Sequence, residues 1–149
     1  LLATLAMPAF AEPPAGMPMA RGPFAGLAQA KPQLKLSTEQ AVLWTAAENA
    51  SRAHRDAMKS AMEKSRTLIE EQKAQPILDL QKLSDAMESQ HDSARSLRET
   101  ERDAWLKAYA SLSTAQKQIA SDSIKRHWQM MNERLAEHRQ HRGQNTGPH

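Results

Sequence analysis

The sequence predicts an all-α protein built as an elongated hairpin of long helices. Its 149 residues are rich in helix-forming types, and aromatic residues make up only 4% of the chain, so the types that strands prefer are scarce. From Ser37 onward, apolar residues recur every three or four positions, which is the period of an amphipathic helix. The pattern Leu-Ser-Thr-x-Gln occurs twice, and each copy precedes a long stretch of mixed polar and apolar residues.

The first eleven residues, LLATLAMPAFA, are apolar and end in an Ala-x-Ala pattern. This pattern predicts that residues 1–11 are the remainder of a signal peptide cleaved after Ala11, although a buried apolar segment is the alternative. We therefore expect an exported, periplasmic protein. No later stretch approaches the roughly 18 apolar residues that a membrane-spanning helix needs. No membrane span is expected.

Residues 12–35 contain five prolines and three glycines, which predicts a flexible leader. A helical domain is predicted over residues 36–142, and a disordered tail over 143–149. Three of the 20 Lys and Arg residues and one of the 17 Asp and Glu residues precede Ser37, so 17 basic and 16 acidic residues follow. This near balance argues against nucleic acid as a partner.

The chain contains no cysteine, which excludes disulfides, thiolate metal sites and cysteine nucleophiles. It also has no nucleophile–base pattern at a strand–turn–helix junction, no glycine-rich phosphate loop and no paired carboxylates on an apolar face. We therefore expect neither enzymatic activity nor a cofactor.

The two copies of the pattern are LSTEQ at residues 36–40 and LSTAQ at 112–116. In each copy, serine and glutamine have the N-cap and N3 spacing of a capping box, in which each side chain bonds the other residue's backbone amide. The pattern therefore predicts two helix starts. The four capping residues are Ser37, Gln40, Ser113 and Gln116.

A leucine precedes each capping serine, at the position that often packs on the fourth helical residue. Those partners are Ala41 and Lys117, which are poor ones for Leu36 and Leu112. We therefore expect both leucines to pack on another helix.

The first long helix carries an apolar stripe and, along one flank of it, additional large apolar side chains. A widened apolar arc indicates that the helix contacts its hairpin partner and something else, either a second subunit or a client protein. Burial within the monomer is the alternative. The candidate client or dimer surface comprises Trp44, Arg55, Met58, Met62 and Ile69.

Pro76 fits the first turn of a second helix, which would run to about Ala110, and a third helix would follow Ser113. Helices near 35 residues would extend about 50 Å. With few large apolar residues the core of a lone monomer would be thin, so we expect a homodimer. The apolar stripe predicted for the second helix includes Leu80, Leu83, Met87, Ala94 and Trp105.

His138 and His141 are spaced i, i+3 on the predicted third helix and are the weak candidates for a metal site. A useful site needs three or four ligands, and no H-E-x-x-H or carboxylate-rich pattern accompanies them. Ordinary hydrogen-bonded histidines are the more common outcome, so no metal site is predicted.

The two motif copies and the segment ETERDAWLKAYASLSTAQKQIASDSIKRHW resemble the LTxxQ-motif proteins of the Gram-negative periplasm, a family of Spy- and CpxP-like chaperones and stress adaptors. Serine stands where the family has threonine, which keeps the capping hydroxyl. The resemblance covers about residues 34–135. It implies a long-helix hairpin that dimerises into a cradle shape, and no catalysis.

The resemblance also implies an activity. The first expectation is an ATP-independent chaperone that reversibly captures unfolded or partly folded periplasmic proteins and suppresses their aggregation. The alternative is a stress or zinc sensor that acts on the periplasmic domain of an envelope-stress sensor kinase.

Overall fold

The protein is all-α, as predicted, in a computed structural model that describes the backbone of residues 23–144 and the side chains of 24–137. The described residues contain no strand. Predictions that fall on residues 1–22 and 145–149, among them the cleavage site after Ala11, lie outside the described residues. The helices are α1 (Pro23–Gln29), α2 (Lys31–Leu34), α3 (Thr38–Lys73), α4 (Leu80–Ala110) and α5 (Thr114–Gln144).

The helices form two antiparallel pairs that share one core. The long helices α3 and α4 make the predicted hairpin, whereas the short helices α1 and α2 pack along the first half of α5. The pairs meet where α3 and α5 begin and α4 ends. The buried apolar residues there are Leu27, Ala30, Leu34, Trp44, Ala47, Trp105, Ala108, Leu112 and Ala120.

Three aromatic rings form the centre of this core. Trp44 and Trp105 are fully buried, and their rings meet edge to face with centroids 5.3 Å apart. Phe24 of α1 stacks on Trp105 at 6.4 Å. Since aromatic side chains bury more apolar area than any others, this cluster links α1, α3 and α4 with few residues.

The prediction of a flexible leader is wrong for residues 23–34, which form α1 and α2 and bury Leu27, Ala30 and Leu34. Pro23 stands at the first position of α1, where its missing N–H costs nothing. Gly26 permits close packing, because a Cβ there would lie 2.7 Å from the Cα of Ile124 on α5. In this segment Pro23 begins a helix and Gly26 allows a close helix contact, although a composition rich in proline and glycine indicates flexibility.

The sequence predicts the first turn of the second long helix at Pro76, but this helix begins four residues later, at Leu80. The cap explains the difference: the carboxylate of Asp79 accepts a hydrogen bond from the backbone N–H of Lys82 at 2.9 Å. The buried side chain of Gln72 accepts from the Asp79 N–H at 2.8 Å and holds the turn closed.

The outer part of the hairpin, residues 52–104, contains a single buried residue, Gln72. Its two helices meet through half-buried side chains, many of them alanines. The inner part of the hairpin is therefore anchored in the aromatic core, and the outer part is a thin, two-helix arm. The half-buried apolar residues that join the arm are Ala57, Ala61, Leu68, Leu83, Ala86, Ala94 and Leu97.

Candidate functional site

Both capping boxes form as predicted. The hydroxyl oxygen of Ser37 accepts from the N–H of Gln40 at 3.3 Å, and the Gln40 side-chain oxygen accepts from the Ser37 N–H at 3.0 Å. The same pair of hydrogen bonds links Ser113 and Gln116, at 3.3 and 2.9 Å.

The two motifs also contact each other. The Nε2 group of Gln40 donates to Oε1 of Gln116 at 2.9 Å, and the Nε2 group of Gln116 donates back to Oε1 of Gln40 at 3.1 Å. The remaining amide hydrogens reach backbone carbonyls across the joint, from Gln40 to Ser111 and from Gln116 to Leu34, both at 2.8 Å. The doubled motif is thus a joint that holds the starts of α3 and α5 together.

The leucines of the motif pack on other helices, as expected. Leu112 is buried in the core, and Leu36 packs against the core cluster from the loop between α2 and α3. The capping serines and glutamines thus form hydrogen bonds within the chain, and both leucines pack in or against its core. The motif therefore builds the frame and leaves little for a ligand to contact.

A chain of polar side chains joins α3 to α4 just outside the aromatic core. The indole N–H of Trp105 donates to the hydroxyl of Ser51 at 2.8 Å, and this hydroxyl donates to Glu101 at 2.6 Å. The other carboxylate oxygen of Glu101 lies 2.6 Å from Nδ1 of His54. Both members of this pair are about four-fifths buried, and the chain marks the boundary between the core and the arm.

Trp44 was predicted as part of an exposed client or dimer surface, and the structure contradicts this, because the residue is fully buried. The alternative, burial within the monomer, is correct for this one residue. The physical reason is the edge-to-face contact with Trp105, which a helical pattern within one segment could not indicate.

The remaining residues of the predicted surface are exposed. Met58, Met62 and Ile69 are 44%, 71% and 51% exposed, and Arg55 is exposed beside them. At about 100° per residue, the two methionines and Ile69 lie within about 40° of one another. They form one row along the arm, about a quarter turn away from the side of α3 that contacts α4.

Two residues of α4 extend this row. Leu80 and Met87, predicted in the inner stripe, are 69% and 61% exposed and lie about a quarter turn from the side that contacts α3. In two antiparallel helices, residues that are displaced around their own helix axes in the same sense from the contact side lie on the same side of the pair. We call this shared surface the methionine face: Met58, Met62, Ile69, Leu80 and Met87.

The turn at the end of the arm adds two exposed aliphatic side chains, Ile77 and Leu78, which sequence reasoning missed. Turns usually carry polar residues or glycine, so the letters PILDL between two helices were the signal that could have found them. The Gln72 side chain accepts from the Asp79 N–H, and the Asp79 carboxylate accepts from the Lys82 N–H. These two hydrogen bonds fix the backbone of the turn that carries Ile77 and Leu78.

An open groove of about 530 Å³ also runs along the arm between α3 and α4, and Met58 of the methionine face is among the residues that line it. Small residues line most of it, among them Ala61, Ala86 and Ser93, and Lys64 and Lys82 lie along it. Lys82 also pairs with Glu71 at 3.7 Å. The small residues and lysines of the groove therefore lie beside the large apolar groups of the methionine face, and Met58 belongs to both surfaces.

The predicted weak metal ligands, His138 and His141, lie on α5 beyond the residues whose side chains are described. Within the described part of the chain, no three His, Asp or Glu side chains come together as metal ligands would. His127 is buried, with Nδ1 3.4 Å from the side-chain nitrogen of Gln29. None of the described helices is long and apolar enough to cross a membrane.

No family model matches this chain, and no curated protein or solved structure is significantly similar to it. The resemblance of LSTEQ and LSTAQ to the LTxxQ-motif family therefore stays a prediction. The site is defined by geometry alone, as an arm with an exposed apolar face on a frame fixed by the doubled motif.

Proposed function

We propose that this protein is a non-catalytic, ATP-independent chaperone that binds unfolding proteins reversibly on the methionine face. The observation that carries the proposal is the concentration of exposed, large apolar side chains on one side of the arm. A contiguous exposed apolar surface on a protein marks an interaction site or an aggregation hazard. In this protein the surface lies on the arm, which contributes no residue to the apolar core.

The chemistry of the face suits varied, unfolded partners. Methionine side chains are unbranched and polarisable, and they repack against differently shaped apolar groups. Three of the five residues of the face are methionines, and one of them, Met58, also lines the groove along the arm. Weak, adaptable contacts of this kind favour capture and release over tight recognition of one sequence.

Export to the periplasm and assembly into a cradle-shaped homodimer are parts of the same proposal. The apolar first eleven residues support export. The thin arm supports dimerisation, because a second copy would bury apolar area that the monomer leaves in water. Unfolded or partly folded envelope proteins are the proposed clients.

The test is suppression of aggregation. A chemically denatured client is diluted into buffer with and without stoichiometric protein, in the absence of nucleotide, and light scattering is followed. We expect scattering to fall for several unrelated clients. Unchanged scattering with all of them would refute the chaperone proposal.

Matched variants locate the activity. Replacing both Met62 and Met87 by serine should weaken suppression several-fold, because both side chains are exposed on the face and make no contribution to the buried core. Val42→Ser is the control, since Val42 is 65% exposed at the opposite end of α3. If the control weakens suppression as much as the double variant, the methionine face is not the binding surface.

A further inference from the structure

An open cavity of about 390 Å³ lies between the short helices and α5, and it shares no residue with the methionine face. Gln29 of α1 and Gln33 of α2 line one wall, and Arg126, Gln129 and Glu133 of α5 line the other. Its volume is within the range of sites that bind small molecules. The proposed chaperone function does not use this cavity.

The polar side chains around the cavity have unused hydrogen-bonding capacity. The side chains that form no hydrogen bond or ion pair with another described residue are those of Gln33, Arg126, Gln129 and Glu133. Gln29 has one long contact, 3.4 Å from its side-chain nitrogen to Nδ1 of His127. Ser123 also lines the cavity and is 4% exposed. Its hydroxyl donates to the Gly26 carbonyl, so its oxygen can still accept a hydrogen bond from a ligand.

Arg126 and Glu133 place opposite charges at two points along the cavity. They are seven residues apart on α5, so they lie on the same side of the helix and about 10 Å apart along its axis. No ion pair joins them. Gln129 lies between them on the helix, and Gln29 and Gln33 line the cavity from the short helices. The cavity therefore presents a cation, a set of amides and an anion.

We propose that this cavity binds a short free peptide of about three residues, recognised by both of its charged ends. An extended chain spans about 3.5 Å per residue, so three residues cover the distance between the two charges. The Arg126 guanidinium binds the C-terminal carboxylate, for which its planar fork of donors is suited. The Glu133 carboxylate accepts hydrogen bonds from the N-terminal ammonium group. The proposal does not rest on the chaperone function.

The three glutamines match the middle of such a ligand. Each side-chain amide offers a donor and an acceptor, as each peptide group does. Gln29, Gln33 and Gln129 can therefore pair with peptide bonds whatever side chains the ligand carries. Met130, which lines the cavity and is 45% exposed, supplies an apolar contact for one of those side chains. The site thus selects for length and for free ends more than for sequence.

The pairing of opposite charges argues against simpler ligands. A metal cation would meet one carboxylate and the repulsion of Arg126, whereas an inorganic anion or a nucleotide phosphate would meet the repulsion of Glu133. Among the described residues, no aromatic ring lines the cavity for a base or a sugar to stack on. A segment inside an unfolded protein has peptide groups but lacks the two charged ends, which separates this site from the methionine face.

The test compares four forms of one peptide. The full chain is titrated with trialanine that is free, N-acetylated, C-amidated or blocked at both ends, by calorimetry and by NMR of the side-chain amides. Blocking one end should weaken binding about fivefold, the upper value for an exposed ion pair, and blocking both about 25-fold. The amide resonances of Gln29, Gln33 and Gln129 should shift, and those of Gln72 and Gln90 in the arm should not.

Two variants assign the ends of the peptide. Arg126→Gln should bind the free and the C-amidated peptide equally and keep its preference for a free amino end, and Glu133→Gln should show the reverse. Arg66→Gln and Glu63→Gln make the same charge changes on α3 and should leave all four affinities unchanged. All four side chains are exposed, so none of these variants should perturb folding.

Four results would overturn the proposal. The first is equal affinity for the free and the doubly blocked peptide, because the ends are then not recognised. The second is a loss of binding in either α3 control as large as in the cavity variants. The third is resonance shifts confined to the arm, which would report capture on the methionine face. The fourth is no shift up to the solubility limit of free trialanine, a result that leaves the scattering test of the chaperone proposal unaffected.

Discussion

Gln40 and Gln116 exchange side-chain hydrogen bonds across the interface between the starts of α3 and α5, 76 positions apart in sequence. Each amide also accepts from the N–H of its own capping serine and donates to a backbone carbonyl of the facing segment. One residue type thus satisfies two helix caps and two loop carbonyls.

The first prediction concerns this pair. Gln116→Ala should lower the free energy of unfolding by about 2 kcal/mol, because the Leu34 carbonyl loses its side-chain donor and the Gln40 amide loses both hydrogen bonds to Gln116. Gln40→Ala should lower the free energy of unfolding by a similar amount, and the double variant should lower it by less than the sum of the two single effects. Urea denaturation of the four proteins measures this coupling.

Gln118→Ala is the matched control, since Gln118 is exposed and its side chain reaches only Asp122, one turn away on α5. Its effect should stay within about 0.5 kcal/mol. Strict additivity of the Gln40 and Gln116 variants would mean that the joint contributes no coupling.

The second prediction concerns the polar chain at the boundary of the arm. Glu101→Ala should destabilise the fold by about 2 kcal/mol, because Ser51 and His54 lose a partner in a largely buried place. The indole N–H resonance of Trp105 should shift as well, since its acceptor Ser51 is no longer held.

Glu99→Ala is the control for this site. Glu99 is more than half exposed and pairs with Arg95 at 3.7 Å, so its loss should cost less than about 0.5 kcal/mol. Equal effects of the two variants, or an unmoved Trp105 resonance in Glu101→Ala, would contradict the assigned role.

The third prediction concerns Gly26. Alanine usually stabilises a helix relative to glycine by up to about 1 kcal/mol, but here its Cβ would meet the Cα of Ile124 at 2.7 Å. We expect Gly26→Ala to destabilise the protein by about 1–3 kcal/mol in thermal or urea unfolding. Adding Ile124→Ala should not restore stability, since the clash is with the backbone; full rescue would show that the contact is a side-chain one.

The fourth prediction concerns pH. Hydrogen bonds from its own backbone N–H and from the Ser37 hydroxyl lower the pKa of the Glu39 carboxyl below its ordinary value. A lowered pKa in the folded state adds stability above the ordinary carboxyl pKa, and this gain is lost as the pH falls through the lowered value. Glu39→Gln should therefore be less stable than the natural protein at neutral pH and equal to it at strongly acid pH.

A side-chain NMR titration checks the cause. Ser37→Ala should move the Glu39 pKa back toward its ordinary value, because one of the two hydrogen bonds is gone. A titration of Glu39 that is identical in both proteins would remove the hydroxyl from the explanation.

The sequence was sufficient for features whose causes are local. The serine–glutamine spacing predicts both capping boxes, and the helix-period pattern predicts the long helices that follow them. Local reasoning could not find that Gln40 and Gln116 meet, because each side chain had already satisfied a local role. The joint depends on how the hairpin folds back.

Other differences arise where local patterns have two physical meanings. Proline and glycine indicate flexibility as well as a helix start and close packing, so α1 was missed. Pro76 and Asp79 are both plausible starts for α4, and the capping carboxylate determines the observed one. For the candidate surface, Met58 and Met62 are exposed as predicted, whereas Trp44 is covered by a residue more than 60 positions later.

The single buried residue between positions 52 and 104 has a consequence for hydrogen exchange. Amides of the arm can exchange through local opening, whose free energy is lower than that of global unfolding. Those near Trp44 and Trp105 exchange only when the whole molecule unfolds. A partner that occupies the arm should slow the first class of amides and leave the second unchanged, so protection factors would locate a bound partner residue by residue.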